Sequence, residues 1–309
     1  MLESRHSHFI RALSVAMLAA ATGSIFMNGQ NAAPPRPPIT GVDHVAFLVS
    51  SQADADKFYG KLLGFTRVSM SGDTAYTYPV SATQSVETLT GPEKRNSRLD
   101  HFAFATTDAE SLRKYLRAKG VKVPDKCGEA FGGGLEFAVT DPEGNPVEFV
   151  QRKAQAPQMP IPPISKHLIH VGMVVHDPAV ENAFYQDILG FHLLWKGGMK
   201  DEVTDWVSMQ VPDGTDWLEY MLNIKSDASA ETRGVMNHMA LGVKDIQVAD
   251  GELKATGWTP TQREHPQMGR DGKWQLNLYD PYGTRSELME FKPVGKICCS
   301  PYTAKLPTE

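Results

Sequence analysis

Four histidines of this 309-residue chain stand at the same place in four similar segments. They are His44 in DHVAFLV (43–49), His101 in DHFAFAT (100–106), His170 in IHVGMVV (169–175) and His238 in NHMALGV (237–243). Each segment has His second, an apolar residue third, Ala or Gly fourth and an apolar residue fifth. That alternation has period two and predicts a half-buried strand, with the His and the small residue on one face. A small side chain beside a His leaves room above the ring. One such His alone is explained as a satisfied core residue, so the carboxylates carry the case for a metal. Glu219 lies in DWLEYML (216–222) and Glu287 in RSELME (285–290), both apolar strands. A Glu inside an apolar strand carries a desolvation penalty unless it is paired or coordinates a cation. His170, Glu219, His238 and Glu287 together offer four N/O donors of the kind that bind Zn, Ni, Fe, Mn or Co. Strand parity puts Glu287 and Met289 on one face and Glu290 on the other, where solvent is expected. His167 likewise falls on the face opposite His170.

The elements that must position these residues repeat as well. KFYGKLLGF (57–65) and AFYQDILGF (183–191) are predicted helix ends closing on Gly64 and Gly190. SLRKYLRAKGVKV (111–123) and GELKATGWTP (251–260) are shorter versions of the same element. DPEGNPVEFV (141–150) and DPYGTRSELMEF (280–291) are tight turns feeding a terminal strand. Each unit is therefore strand, helix, then several strands. The units pair into halves over residues 41–152 and 167–292, joined by a linker at 153–166 that contains AQAPQMPIPPIS and followed by a tail at 293–309. The GGG run at 132–134 precedes a strand, lacks a Lys and is expected to be a turn or a flexible loop over the site.

Composition narrows the function. Hydrophobic residues make up 41% and charged residues 22%, with a net charge of −5. With acidic residues in excess and no basic stripe, no nucleic-acid partner is expected. Residues 1–40 comprise a weakly basic start with Arg5 and Arg11, an apolar run from Ala12 to Met27 and a Pro-rich stretch. This is the layout of a secretory signal, and it predicts export to the periplasm or medium, with an uncleaved anchor as the alternative. No other stable membrane partner is expected, and the oligomeric state is left open. Three cysteines, Cys127, Cys298 and Cys299, give no disulfide framework; Cys298 and Cys299 can pair with each other, with Cys127 or not at all. No phosphate loop, nucleophile elbow or CxxC pair is present, so hydrolase and redox-motif chemistries have no foothold.

The H-x-[AG] strands, the FYxxxLGF helix ends and the DPxGxxxE terminal strands resemble the glyoxalase/bleomycin-resistance/dioxygenase superfamily, also called vicinal oxygen chelate. The resemblance covers nearly all of residues 41–292. It implies an α+β fold of four βαβββ modules, paired into two curved, cup-like mixed sheets with flanking helices. By resemblance to bacterial glyoxalase I, the ligands are His170, Glu219, His238 and Glu287, with Glu287 in the base position and Glu219 opposite it. The first half matches with His44, His101 and Glu148, and with Glu87 in a short polar strand as the fourth residue, giving a second, weaker candidate site. Cross-pairing of the first and fourth modules is an open alternative. The implied chemistry is that of a lyase or isomerase: a divalent metal holds two adjacent oxygens of a small substrate, stabilises an enediolate, and a carboxylate moves the proton. An exported copy is expected to use a substrate other than a glutathione adduct. Two alternatives stand beside it. An extradiol-type dioxygenase would use His170, His238 and Glu287 on Fe(II), but the Tyr its signature calls for is Asn277 here and its additional His has no well-spaced match, His265 being too far upstream. A non-catalytic protein would sequester a small molecule against Trp195, Trp206, Trp217 and Trp274.

Overall fold

The computed structural model describes residues 34–92, 97–153 and 163–308. Most of the leader and linker residues 154–162 lie outside them. The first half contains β1 (Ile39–Val49), α1 (Gln52–Ala55) running on as a π-helical segment (Asp56–Leu62), β2 (Val68–Ser71), β3 (Ala75–Pro79) and β4 (Ser85–Thr90). A second module follows with β5 (Leu99–Thr106), α2 (Ala109–Ala118), β6 (Gly128–Glu129), β7 (Gly134–Thr140) and β8 (Pro146–Arg152). The second half repeats the plan. Its first module is β9 (Leu168–Val174), α3 (Pro178–Tyr185), β10 (His192–Gly197), β11 (Trp206–Gln210) and β12 (Trp217–Met221). Then come α4 (Ala230–Met236), β13 (His238–Val243), α5 (Ile246–Ala255), β14 (Gln267–Met268), β15 (Trp274–Tyr279) and β16 (Arg285–Glu290).

The strands form two curved eight-stranded mixed sheets, in the orders β2-β3-β4-β1-β5-β8-β7-β6 and β10-β11-β12-β9-β13-β16-β15-β14. Consecutive modules therefore pair, the first with the second and the third with the fourth. In each half the two histidine strands meet antiparallel at the sheet centre, and each has a parallel Glu strand on its outer side. A parallel return needs a crossover, and the module's helix supplies it. The helices start where their caps dictate: Asp108, Asp177 and Asp245 accept backbone N–H groups of the first turn. Gly64 and Gly190 have φ of 79° and 83°, the left-handed conformation that ends a helix at low cost.

Alternation sorts the two faces of each central strand. Val45, Phe47, Phe102 and Phe104 of the first sheet share one buried cluster with Val171, Met173, Met239 and Leu241 of the second. Phe104 and Phe191 meet edge to face across the halves, with centroids 4.9 Å apart. The FY and DP motifs lock this core. Tyr59 Oη donates to Asp280 Oδ2 at 3.0 Å and Tyr185 Oη to Asp141 Oδ2 at 3.1 Å. Each helix tyrosine thus ties down the DP turn of the other half, with both partners buried. Burial raises the carboxyls of Asp141 and Asp280, and burial together with the adjacent carboxylate pushes both phenols upward.

Two expectations resolve differently in detail, and one open alternative is settled. Glu290 is not turned to solvent: its Oε1 accepts the Ile246 N–H at 3.0 Å and caps α5. Trp274 packs against the shared core. Of the open cysteine pairings, Cys298 bonds Cys299 and Cys127 is free. Among the described residues, no helix is long and apolar enough to cross a membrane.

Candidate metal centres

One register rule generates the site twice. Across β4, β1 and β5, Glu87 is paired with Ala46, and Ala46 with His101; across β1, β5 and β8, His44 is paired with Ala103, and Ala103 with Glu148. In the second half Glu219, Gly172 and His238 line up in the same way, as do His170, Ala240 and Glu287. Each small residue sits between a His on one neighbouring strand and a Glu on the other. The room above it is therefore filled by the partner strand's imidazole. A Cβ on Gly172 would stand 2.0 Å from His238 Cε1.

The first half brings His44, Glu87, His101 and Glu148 together. His44 Nε2 and His101 Nε2 are 3.1 Å apart, and Glu148 Oε2 lies 3.5 Å and 3.9 Å from them. Glu87 Oε2 is 3.9 Å from His101 Nε2. Both rings are held from behind: His44 Nδ1 is 2.8 Å from Asp43 and His101 Nδ1 is 2.8 Å from Asp100. A carboxylate accepts, so each Nδ1 carries a proton, and in the neutral form that a cation requires each ring aims an Nε2 lone pair inward. Lone pairs converging in that form are the chemistry of a cation site. Asp43 is in turn gripped by Arg152 through bonds of 2.8 and 2.7 Å. Burial opposes charge on His44, yet the pull of Glu87, Asp43 and Glu148 raises it well above the ordinary imidazole range. Burial would raise Glu148, but His44 and His101 hold it below the ordinary carboxylate range.

The second half brings His170, Glu219, His238 and Glu287 together more evenly. The Nε2 atoms are 3.1 Å apart; Glu219 Oε2 lies 3.7 and 3.5 Å from His170 and His238, and Glu287 Oε2 3.6 and 3.8 Å. What surrounds the donors differs. His170 Nδ1 is buried and finds no partner among the described residues, and His238 Nδ1 donates to the Met236 carbonyl at 2.8 Å. Arg285 Nη2 donates to His238 Nε2 at 2.7 Å. Lys273 is 1% exposed and sits 4.8 Å over the Trp217 ring. Burial drives His170 and His238 well below the ordinary range, with Arg285 adding to the effect on both. Burial pushes Glu287 up to about 8, and burial lowers Lys273 despite nearby Asp271.

Three donors in each half, His44, His101 and Glu148 and His170, Glu219 and His238, bring ligand atoms within 4.8 Å of one another and make candidate divalent-metal sites, with Glu87 and Glu287 beside them. The first-half set is the looser one: Glu87 is buried at 4% exposure but pairs with His101 alone, whereas each second-half Glu lies within 3.8 Å of both imidazoles. The second site opens into a cavity of about 320 Å³. Its walls are Trp195, Trp206, Trp217 and Tyr302, and its polar groups include Glu219, Lys273, Asn277, Arg285 and Glu287. Three of the four expected tryptophans line it. Beside the first site, a smaller cavity of about 230 Å³ is bordered by Ser85, Arg152 and the Gly132–Gly133 turn. Outside both sites, His167 pairs with Asp216 at 2.7 Å and the exposed His265 with the Gln262 carbonyl.

Sequence reasoning missed the groups behind the ligands. The residue before each His should point to the opposite face, yet Asp43, Asp100 and Ile169 each fall at a register shift where one residue is left unpaired. A bulge of that kind re-aims a side chain, which is how Asp43 and Asp100 reach the adjacent ring. Arg285 was legible: it shares parity with Glu287, two residues on. Nothing local marked Lys273, whose Trp217 and Tyr302 neighbours come from distant segments.

Comparison with known proteins gives the family and the fold. The family model described as the Glyoxalase/Bleomycin resistance protein/Dioxygenase superfamily matches residues 41–149 and again 167–288. No curated protein sequence matches. Solved structures similar to this chain include homoprotocatechuate 2,3-dioxygenase from Brevibacterium fuscum, at 20% identity and a TM-score of 0.62 over 84% of this chain and 83% of that one. The homoprotocatechuate 2,3-dioxygenase of Arthrobacter globiformis aligns at 20% identity and 0.63 over the same shares. An extradiol ring-cleaving dioxygenase from B. fuscum aligns at 20% and 0.64 over 87% of this chain and 76% of that one. At this identity the likeness is one of fold.

Proposed function

The chain belongs to the Glyoxalase/Bleomycin resistance protein/Dioxygenase superfamily, and on that premise we propose that it is a glyoxalase-like, metal-dependent lyase or isomerase working in the second-half cavity. The observation that carries this reading is the pair of opposed carboxylates, Glu219 and Glu287, each within 3.8 Å of both imidazole Nε2 atoms. The donor set of His170, Glu219, His238 and Glu287 fits a divalent cation, which when bound polarises two adjacent oxygens of a small substrate. Glu287 is the base that takes the proton from carbon, and Glu219 is positioned across the site to return a proton to the neighbouring carbon. Trp195, Trp206 and Trp217 exclude water and hold the apolar part of the substrate. Export through the leader over residues 1–40 is part of the proposal and directs the search toward substrates other than glutathione adducts; N-terminal sequencing of the mature protein tests it.

A second reading, a ring-cleaving dioxygenase, is favoured by His170, His238 and Glu287 taken as a two-His-one-carboxylate set beside an open cavity. Asn277 in place of the signature tyrosine, and Glu219 as a fourth donor, argue for proton transfer instead. The two separate cleanly. Protein loaded with Ni, Zn, Mn, Co or Fe(II) is assayed with hemithioacetals and related α-hydroxycarbonyl compounds, and with catechols. Proton transfer predicts solvent deuterium at the reacting carbon with no oxygen uptake; oxygen consumption with a catechol overturns it.

A further inference from the structure

We infer that the two cages hold a divalent cation unequally: the first binds it tightly, and Arg285 keeps the second weak and exchangeable. The inference rests on the metal reading of the two donor sets and adds which one fills first. The donor types give no ranking, since each half offers two His and two Glu, and the spacing is looser in the first, where Glu87 pairs with His101 alone at 3.9 Å. The groups around them do.

In the first cage both ring hydrogens are committed to Asp43 and Asp100, at 2.8 Å each. Carboxylates behind ligating imidazoles fix the tautomer, orient the ring and raise its basicity. Asp43 is itself fixed by Arg152, which bonds this carboxylate rather than either imidazole, although its charge also reaches Glu87. In the second cage the bulged residue is Ile169, and His170 Nδ1 has no partner among the described residues. Asn237, which precedes His238, accepts the Val174 N–H instead. His238 leans on a carbonyl, a weaker acceptor.

The second cage also contains its own cation. Arg285 donates to His238 Nε2 at 2.7 Å, so the lone pair that a metal needs is already engaged. A guanidinium does not lose its charge at any working pH, and metal can take that nitrogen when Arg285 leaves it. Lys273, over Trp217, adds positive charge within reach of Glu219 and Glu287, with Asp271 as partial compensation. The place of Arg285 in the first half, two residues before the terminal-strand Glu, is held by Pro146. Even screened as in bulk water, a unit charge about 4 Å from a dication opposes its binding by roughly 10–100-fold.

The test is Zn²⁺ titration of the chelator-stripped full chain against a chromophoric competitor, with circular dichroism to confirm folding. Wild type is expected to show two classes of site separated by about tenfold or more. His44→Ala removes the tight class and His238→Ala the weak one. Arg285→Gln strengthens the weak class by about 10–100-fold, and Asp100→Asn weakens the tight class by a similar factor. The Asp100→Asn variant carries the assignment if His44→Ala does not fold. Loss of the tight class in His238→Ala, an unmoved weak class in Arg285→Gln, or two equal classes in wild type overturns the ranking. If neither histidine variant lowers bound Zn²⁺, the metal reading fails with it.

Discussion

In the first half, the residues preceding the two cage histidines are Asp43 and Asp100; in the second they are Ile169 and Asn237. The strands, the register and the four donors are otherwise the same. One cage is backed by carboxylates and borders a small cavity; the other is backed by a carbonyl, faces Arg285 and opens into the larger, tryptophan-walled cavity. The difference teaches that a duplicated sheet can keep a ligand set while the positions next to it diverge toward different tasks. Tight holding asks for acidic support behind the ligands. Turnover asks for space, opposed carboxylates and a substrate wall.

The strongest way to break that comparison is to remove a ligand on the cavity side. His170→Ala is expected to lower turnover by about 10³-fold or more, because the ring is a donor the metal chemistry depends on; steady-state kinetics under saturating metal measures it. Glu219→Gln comes next, with a loss of about 10²–10³ in kcat and little change in KM. A much smaller loss shifts the balance toward the three-ligand dioxygenase reading.

Gly172→Ala sharpens the comparison at the backbone. Its first-half counterpart is Ala46, which the first sheet tolerates, whereas a methyl on Gly172 meets the His238 ring. Second-half Zn²⁺ affinity should fall by about 10–100-fold, with the first-half class unmoved. Tyr59→Phe and Tyr185→Phe probe a feature the halves share. Each removes one buried hydrogen bond to a DP-turn carboxylate, expected to cost about 1–2 kcal/mol; calorimetry should show nearly equal losses. Unequal losses would mean the halves are not locked symmetrically.

The smallest effect is one of pH. Glu181 in α3 is fully buried where the first half has Ala55. Burial, reinforced by Asp141, pushes its carboxyl up to about 8 from an ordinary 4.5. The folded chain therefore holds this proton where the unfolded chain has lost it. Its contribution to stability is full below about 4.5 and declines as pH rises toward 8. Glu181→Gln keeps the acceptor for the Glu143 N–H and should raise the melting temperature at pH 8.5 by a larger margin than at pH 5.

Much of this architecture was legible in the sequence because alternation is a local signal. His44, His101, His170 and His238 with their small neighbours fixed which face each strand turns inward, and the DP and FY motifs marked where the modules begin and end. The convergence of Glu87 was harder to read, since a Glu in a polar strand carries no desolvation argument until neighbouring strands bury it. Asp43 and Asp100 were hidden by a bulge, which breaks the alternation used to find the ligands. Glu290 was misjudged because parity gives a face and not the helix N-terminus that waits there. Lys273 depends on contacts with Trp217 and the tail residue Tyr302, and no spacing rule joins segments so far apart.

The central claim is that four donors, Glu219 among them, hold one metal in the second half. Anomalous diffraction at the zinc edge from crystals soaked in saturating Zn²⁺ tests it most directly. The account predicts a peak there within bonding distance of His170, Glu219, His238 and Glu287. A peak bound by His170, His238 and Glu287 with Glu219 turned away, or no peak at that position, contradicts it.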